Sequence, residues 1–184
     1  MKKIKIASCI LLLLGTAITS HVNAQSRRGS GPVTPMKVGS VTFNLGVGAG
    51  GEYKGDYYKT PFGTKAALEF GLWQAGPGVI TLGGQVGASF SGGDKKANTV
   101  VVAARSAWHY GWLVPGLDTY GGFSTGLGFH HHHHINSNGK QSEVIPVVGA
   151  FVGASYFVTP KFGFNAEAGH DITRMQVGVI FKLK

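Results

Sequence analysis

The fold is decided by the stretch Val41-Thr42-Phe43-Asn44-Leu45-Gly46-Val47-Gly48-Ala49-Gly50. Its odd-numbered positions are Val, Phe, Leu, Val and Ala, whereas its even-numbered positions are Thr, Asn and three glycines. Alternation with a period of two predicts a β-strand that has one apolar face. The other face carries mainly glycine, where the sheet of a soluble protein would carry Lys or Glu. Such a face suits the cramped inside of a small barrel, so we predict a barrel wall with its apolar side chains outside.

The same alternation returns at intervals of roughly 20 residues along the chain. With the first strand at 41–50, we predict eight strands, of which the others cover about 65–74, 79–91, 99–110, 118–129, 144–157, 162–170 and 175–183. An even number of strands returns both termini of the chain to one side of the membrane, as bacterial barrels require. The sequence therefore predicts an all-β fold, an eight-stranded antiparallel up-and-down transmembrane β-barrel over 38–184.

The composition excludes several other classes of protein. Glycine makes up 30 of the 184 residues, more than twice the usual share of ~7%, and charged residues make up 14% against a usual ~25%. No apolar run reaches the roughly 18 residues of a spanning helix, so a membrane helix bundle is excluded. The single Cys excludes a disulfide scaffold and a multi-Cys zinc site.

Residues 1–24 form a predicted signal peptide. A basic start at Met1–Lys5 precedes an apolar segment, and Val22-Asn23-Ala24 is typical of a cleavage site. The next segment, 25–37, is rich in Gly, Ser and Pro and is predicted to be a flexible periplasmic tail. Because the positive charge left after cleavage is scattered, we expect no binding of nucleic acid.

The connections and aromatic residues also predict which end of the barrel faces which compartment. The longest connections, 51–64 and 130–143, fall after odd-numbered strands and are predicted to face the outside, as is the minimal loop 171–174. Aromatic residues cluster near the predicted periplasmic ends, where an aromatic girdle is expected. Two of them, Trp73 and Phe157, have the parity of lumenal residues.

Three charged residues have inward parity on different strands: Glu69, Arg105 and Glu167. Because buried charges without partners are very costly, we predict that they form one network in the lumen. Gln85, His109 and Tyr120 are candidate further members. Such a network is either a structural plug or a gated path for ions, and the narrow interior of an eight-stranded barrel favours the plug.

A run of five histidines, His130–His134, follows the predicted fifth strand. In an extended chain His130, His132 and His134 share one face and could converge on an ion such as Zn²⁺, Ni²⁺ or Cu²⁺. Three interpretations compete: a natural metal-binding surface loop, a neutral expansion in a tolerant loop, and an inserted purification tag. No other cofactor is expected.

The chain ends with Gln176-Val177-Gly178-Val179-Ile180-Phe181-Lys182-Leu183, followed by Lys184. This segment resembles the C-terminal signal of outer-membrane barrels at Gln176, Gly178, Phe181 and Leu183, although many of those proteins end on an aromatic residue. Together with the signal peptide and the eight strands, 38–184 resembles small outer-membrane proteins of the OmpA-barrel and OmpX type, and is similar to the short barrels of Bacteroidota.

The resemblance implies a location in the outer membrane and defined partners. These are outer-membrane lipid and lipopolysaccharide, the barrel-assembly machinery and periplasmic chaperones, and we expect a monomer. It implies a non-enzymatic protein for envelope integrity or surface contact, without catalytic residues. The alternatives are a metal-binding or adhesion module acting through 130–143, a narrow passive channel, and a lipid A-modifying enzyme.

The enzyme alternative depends on His134-Ile135-Asn136-Ser137-Asn138. This segment is similar to the His-x-Ser-Asn motif of lipid A deacylases, but one extra residue separates His134 from Ser137. The insertion reverses the relative parity of the two side chains on a strand. In addition, Asn136-Ser137-Asn138-Gly139 has the composition of a loop, so we expect no enzymatic activity.

Overall fold

A computed structural model describes residues 35–50, 61–91, 96–133 and 140–184, with the backbone alone described at 96–97, 131–133 and 140–142. The predicted signal peptide and most of the segment 25–37 lie outside these ranges. The eight strands are β1 (Val41–Ala49), β2 (Phe62–Ala75), β3 (Gly78–Ser91), β4 (Lys96–Gly111), β5 (Leu117–His133), β6 (Lys140–Phe157), β7 (Phe162–His170) and β8 (Met175–Lys182). Within the described ranges, no helix is long and apolar enough to cross a membrane.

The strands form one closed antiparallel barrel in the order β1 to β8, which confirms the predicted fold class. Each strand pairs with its neighbours in sequence, and β1 also pairs with β8, for example through Phe43 opposite Phe181. We call the end with the connections β2–β3, β4–β5 and β6–β7 the turn end, and the opposite end the loop end. At the turn end β2 and β3 are joined by a tight turn in which Gly76 has a φ of 58°.

The faces of the wall have the polarity that the alternation predicts. On β1, Leu45 and Val47 are 48% and 46% exposed on the outside, whereas Thr42 and Asn44 are 1% and 4% exposed and point inward. The same arrangement of apolar side chains outside and polar side chains inside recurs on the other strands. It is the inverse of a soluble protein and suits a wall that is solvated by lipid.

One predicted side-chain orientation is wrong. The pairing of β2 with β3 shifts between Gly71 and Trp73, because Leu72 forms a β-bulge. The extra residue reverses the parity of the positions that follow, so Trp73 faces outward and is 56% exposed. No such shift precedes Phe157, which points inward as predicted and is 8% exposed.

The β7–β8 connection spans 171–174 as predicted, whereas the other three connections at the loop end are shorter than predicted. β5 continues to His133 and β6 begins at Lys140, so the predicted loop 130–143 is largely a hairpin. The wall is also uneven in height, because β4, β5 and β6 have 16, 17 and 18 residues whereas β7, β8 and β1 have 9, 8 and 9.

The end of the predicted periplasmic tail is packed against the turn end of the barrel. Gly39 N donates to Gly71 O at 2.8 Å, and Lys182 Nζ donates to Pro35 O at 2.6 Å. Met36 between them is fully buried. Because a Cβ at the inward-facing Gly71 would contact the carbonyl of Lys37, this segment crosses the inside of the barrel. The segment 35–40 therefore closes the turn end.

Candidate functional site

Arg105 brings the three predicted lumenal charges together. Its Nε donates to Glu69 Oε1 at 2.6 Å and its Nη2 donates to Glu167 Oε2 at 3.1 Å. A third bond, from Nη1 to Gln85 Oε1, is 3.2 Å long. Arg105 is 1% exposed, so its guanidinium is buried, and these bonds engage three of its five N–H groups. Since Arg105 lies on β4 and Glu167 on β7, this ion pair crosses the lumen.

A second cation, Lys65, lies beside the first. It forms ion pairs with Glu167 and with Asp171, the latter at 3.0 Å. Asp171 also accepts hydrogen bonds from Gln85 Nε2 at 2.9 Å and from Ser124 Oγ at 3.1 Å. Lys65 projects from β2, so its contact with Glu167 on β7 crosses the lumen in another direction. The two cations and three carboxylates form one continuous layer across the barrel.

Asp171 lies in the connection between β7 and β8 at the loop end, as predicted, but its side chain is not exposed as a residue of an outer loop would be. Its side chain is 3% exposed and points into the barrel, although β7 ends one residue earlier at His170. The odd-numbered positions of β7, including Glu167, face inward, and Asp171 continues this parity beyond the strand. The inward alternation of β7 therefore extends one residue beyond the end of the strand, and it is the sequence signal for the orientation of Asp171.

His109 extends the charged layer toward the turn end. Its Nδ1 lies 2.7 Å from Asp118 Oδ2, and its Nε2 lies 3.6 Å from Glu69 Oε2. The ring stacks on Tyr120 with 5.0 Å between centroids, and Tyr120 Oη donates to Glu167 at 3.2 Å. The predicted candidates Gln85, His109 and Tyr120 therefore all contact the layer, and Asp118 is an additional member.

The aromatic ring of Phe151 packs against both cations. The Arg105 guanidinium carbon lies 4.1 Å from the centroid of the ring, and Lys65 Nζ lies 5.6 Å from it. Tyr120 packs edge-on against the same ring at 6.3 Å. A cation over a desolvated aromatic ring is stabilised by roughly 2 kcal/mol. Phe151 therefore fills the lumen beside the ion pairs and also offsets part of the cost of burying them.

Apolar side chains close the lumen on the loop side of the charged layer. A buried cluster joins Val101 and Ala103 of β4 to Val147 of β6 and to Ile172, which is fully buried in the turn between β7 and β8. Consecutive residues of that turn thus enter the barrel, Asp171 to the ion pairs and Ile172 to the apolar cluster. With Met36 at the turn end, the charged layer is covered on both sides.

We expect Asp171→Ala to lower the free energy of unfolding by about 2 kcal/mol, because Gln85, Ser124 and Lys65 each lose a buried acceptor. The matched control is Arg174→Ala in the same turn, whose exposed side chain predicts a change within about 0.5 kcal/mol. Urea titration in detergent micelles measures both variants. Equal effects of the two substitutions would show that Asp171 acts only as a turn residue.

Some lumenal polar atoms have no protein partner. Within the described part of the chain these include Asn44 Oδ1, Ser155 Oγ and Gln176 Oε1, all on side chains that are at most 5% exposed. Buried polar atoms of this kind are satisfied by ordered water. They lie on β1, β6 and β8, so we expect ordered water along that part of the wall.

The predicted metal ligands are only partly described. His130 is 7% exposed on the inner face of β5, where its Nδ1 lies 2.5 Å from Thr99 Oγ1. The backbone of His131–His133 belongs to β5 rather than to a loop. The side chain of His132 and the whole of His134 lie outside the described residues, so metal binding by His130, His132 and His134 stays a prediction.

The residues of the predicted barrel-assembly signal lie on both faces of β8. Gln176 and Gly178 have inward parity, whereas Phe181 and the adjoining Leu183 face outward and are 37% and 61% exposed. β8 also closes the barrel by pairing with β1. Recognition of these residues by an assembly machinery stays a prediction.

Comparison with known proteins identifies the fold. No protein-family model matches the chain, and no curated protein matches it. Among solved structures, Neisserial surface protein A (NspA) has a TM-score of 0.52 with 12% identity, over 78% of this chain and 96% of that chain. The chain has the fold of the small eight-stranded outer-membrane barrels. At this identity the similarity concerns the fold alone.

Two further solved barrels are more distant in structure. The attachment invasion locus protein Ail of Yersinia pestis has a TM-score of 0.46 with 15% identity, over 78% of this chain and 93% of that chain. The N-terminal β-barrel domain of Pseudomonas aeruginosa OprF has a TM-score of 0.46 with 18% identity, over 78% of this chain and 97% of that chain.

Proposed function

We propose that this protein is a closed, non-enzymatic barrel of the outer membrane that serves envelope integrity or surface contact. One observation carries the proposal: ion pairs join opposite walls of the lumen. Glu167 on β7 contacts Lys65 on β2 and Arg105 on β4. In an eight-stranded barrel each of these strands is three positions away from β7, so the pairs extend across the interior.

The outer surface supports a location in a membrane. Exposed apolar side chains cover the wall, and Trp108 and Trp112 lie near the turn end, where their indole N–H groups donate to Ala75 O at 3.1 Å and Thr119 Oγ1 at 2.9 Å. Exposed Phe62 and Phe90 lie near the loop end. Aromatic residues at both ends of an apolar band are typical of transmembrane barrels. The predicted signal peptide is the reason to choose the outer membrane.

The closed lumen supports a structural rather than a conducting role. An ion that crossed the barrel would have to displace Arg105 from Glu69 and Glu167, and breaking such a buried pair costs about 3–5 kcal/mol. It would also have to pass the apolar cluster at Ile172 and the segment around Met36. Polar atoms beside the charged layer can hold water without forming a continuous path.

The engagement of the lumenal carboxylates supports the absence of an enzymatic role. Glu69, Glu167 and Asp171 are each bonded to a buried cation. A general base or nucleophile has to reach a substrate, and each of these groups is at most 6% exposed. These carboxylates are therefore engaged in ion pairs within the lumen.

Electrical recording in planar lipid bilayers tests the proposal. We expect the purified, folded protein to give no stable conductance steps, because the charged layer and its two covers obstruct the lumen. Insertion is verified separately by the heat-dependent shift in gel mobility of a folded barrel and by co-sedimentation with liposomes. A stable conductance that changes in Arg105→Ala would assign an ion path to the lumen and contradict the closed-barrel proposal.

A further inference from the structure

A pocket of about 500 Å³ opens at the turn end of the barrel. It lies between the N-terminal segment and the β4–β5 and β6–β7 connections. Its lining includes Lys37, Pro115, Tyr156, Val158, Pro160 and Lys182. Tyr156 and Val158 are 50% and 51% exposed on the outer face of the barrel, so the pocket opens at the boundary between the wall and the turn end. Its volume lies within the ~300–1,000 Å³ of sites for small ligands.

The pocket lies in a region of positive charge. Among the described residues at the turn end, the exposed charged side chains are Lys37, Lys161 and Lys184, and Lys182 is partly exposed. The acidic side chain at this end, Asp118, is fully buried and bonded to His109. Among the described residues, Lys182 Nζ uses one of its three N–H groups on Pro35 O, which leaves two for a ligand. Lys37 and Lys182 can therefore bind an anion together.

An apolar groove continues from the pocket along the outer wall. The groove shares Tyr156 with the pocket and has a volume of about 560 Å³. Its floor includes the small side chains Ala154 and Ala166, and the larger Phe164 lines it as well. A second depression, which also contains Ala166, extends the groove to Ala168 on β7 and Met175 on β8. The groove therefore runs from the basic pocket along the wall that faces lipid.

We propose that the pocket and the groove together bind one anionic glycerophospholipid. Its phosphate contacts Lys37 and Lys182, and one acyl chain lies over Ala154 and Ala166. The positive charge of the pocket favours an anionic headgroup, and the apolar wall that continues from Tyr156 favours an acyl chain. Lysines near a membrane surface attract anionic lipid, and tyrosine favours the level of the headgroups. The inference rests on the proposed location, which places the turn end at the inner leaflet.

Native mass spectrometry of the folded full chain in detergent micelles tests this inference. Dioleoyl phosphatidylglycerol and dioleoyl phosphatidylcholine are the two probes, and we expect one bound phosphatidylglycerol. We expect Lys37→Gln with Lys182→Gln to weaken that binding roughly 10- to 30-fold, because each lysine contributes a moderate electrostatic attraction. The matched control is Lys161→Gln with Lys184→Gln, which removes two exposed charges at the same end outside the pocket and should retain binding.

Two further measurements distinguish the binding of a lipid from the binding of a simple anion. Ala166→Phe fills the groove without changing charge, so it should weaken phosphatidylglycerol binding and leave competition by inorganic phosphate unchanged. Phosphate that displaces the lipid completely, with no effect of Ala166→Phe, would identify an anion site and overturn the lipid proposal. Equal binding of the two lipids, or equal losses in the two lysine double variants, would overturn it as well.

Folding and location are measured separately from lipid binding. Every variant is compared by its heat-dependent gel shift, and Lys37→Gln alone replaces the double variant of Lys37 and Lys182 if that variant fails to fold. Carbonate extraction of whole-cell membranes tests the proposed location of the wild-type chain. A chain released by carbonate would contradict the proposed function, whereas a retained and folded chain without preference for phosphatidylglycerol would contradict only this inference.

Discussion

Arg105→Ala is expected to lower the free energy of unfolding by about 3–5 kcal/mol, the cost of removing one partner from a buried ion pair. The substitution leaves Glu69 without its 2.6 Å bond and Glu167 with Lys65 as its remaining cation. It also removes the guanidinium from the face of Phe151, 4.1 Å away. Water that enters the space can solvate the carboxylates in part, so the effect should lie at the lower end of this range.

Urea unfolding in detergent micelles, followed by tryptophan fluorescence, measures this effect. The matched control is Val102→Ala on the same strand, an outward-facing residue that is 52% exposed and faces lipid. We expect the control to change the free energy of unfolding by less than about 1 kcal/mol, because its side chain leaves no unpaired charge. A loss in Arg105→Ala no larger than that of the control would show that the network contributes nothing to stability.

A compensating variant distinguishes lost charge pairing from lost volume. Arg105→Met combined with Glu69→Gln and Glu167→Gln removes one positive and two negative charges while retaining most of the volume in the lumen. Because uncharged groups avoid the penalty of an unpaired buried charge, the triple variant should be more stable than Arg105→Met alone, which has the same volume but leaves Glu69 and Glu167 charged. If it is no more stable, the unpaired carboxylates do not account for the loss.

The side chains that face outward and those that face the lumen could be predicted, because successive residues of a strand point to opposite faces. A residue on a closed barrel faces either lipid or the interior, and a shift by one residue would move every apolar side chain to the wrong face. The inward placement of Glu69, Arg105 and Glu167 follows from this alternation alone. The long-range contact between Lys65 and Glu167 needs the additional fact that the barrel is closed.

Three residues that sequence reasoning placed wrongly or missed lie where the alternation is interrupted or ends. The bulge at Leu72 turns Trp73 outward, and nothing in the local composition distinguishes that position from regular strand. Met36 and Asp171 enter the barrel from outside the strands, and their positions depend on the space left inside it. Such packing is set by the assembled lumen rather than by nearby residues, so parity alone could not locate these side chains.

Gly122→Ala is expected to destabilise the barrel by about 3 kcal/mol or more, whereas Gly121→Ala on the same strand should be tolerated. A Cβ at the inward-facing Gly122 would lie 2.8 Å from Ala107 Cα and 2.9 Å from Ala107 Cβ. Ala107 is its cross-strand partner, so the backbone can yield only by disturbing the pairing of β4 and β5. At Gly121 the nearest atom is Val152 Cγ1 at 3.6 Å, an ordinary contact.

A second matched pair on another strand separates this effect from local peculiarities of β5. A Cβ at Gly83 would lie 2.8 Å from Glu69 Cα, whereas at Gly84 the nearest atom is Ala103 O at 3.8 Å. We expect Gly83→Ala to behave as Gly122→Ala and Gly84→Ala as Gly121→Ala, with urea midpoints and yield of folded barrel as the measurements. Equal tolerance within both pairs would show that the wall can expand to accept inward side chains.

The difference between these positions explains why the chain uses glycine in the lumen despite its conformational cost. Glycine within a strand usually weakens it, since the unfolded chain has more freedom to lose. In a narrow barrel the inward faces of neighbouring strands approach so closely that even a methyl group at Gly83 or Gly122 meets backbone. Other lumenal glycines leave room for side chains, since a Cβ at Gly153 would lie 2.5 Å from Tyr120 Cζ. We therefore attribute the glycine excess to the geometry of the closed lumen, and the alanine pairs test that cause directly.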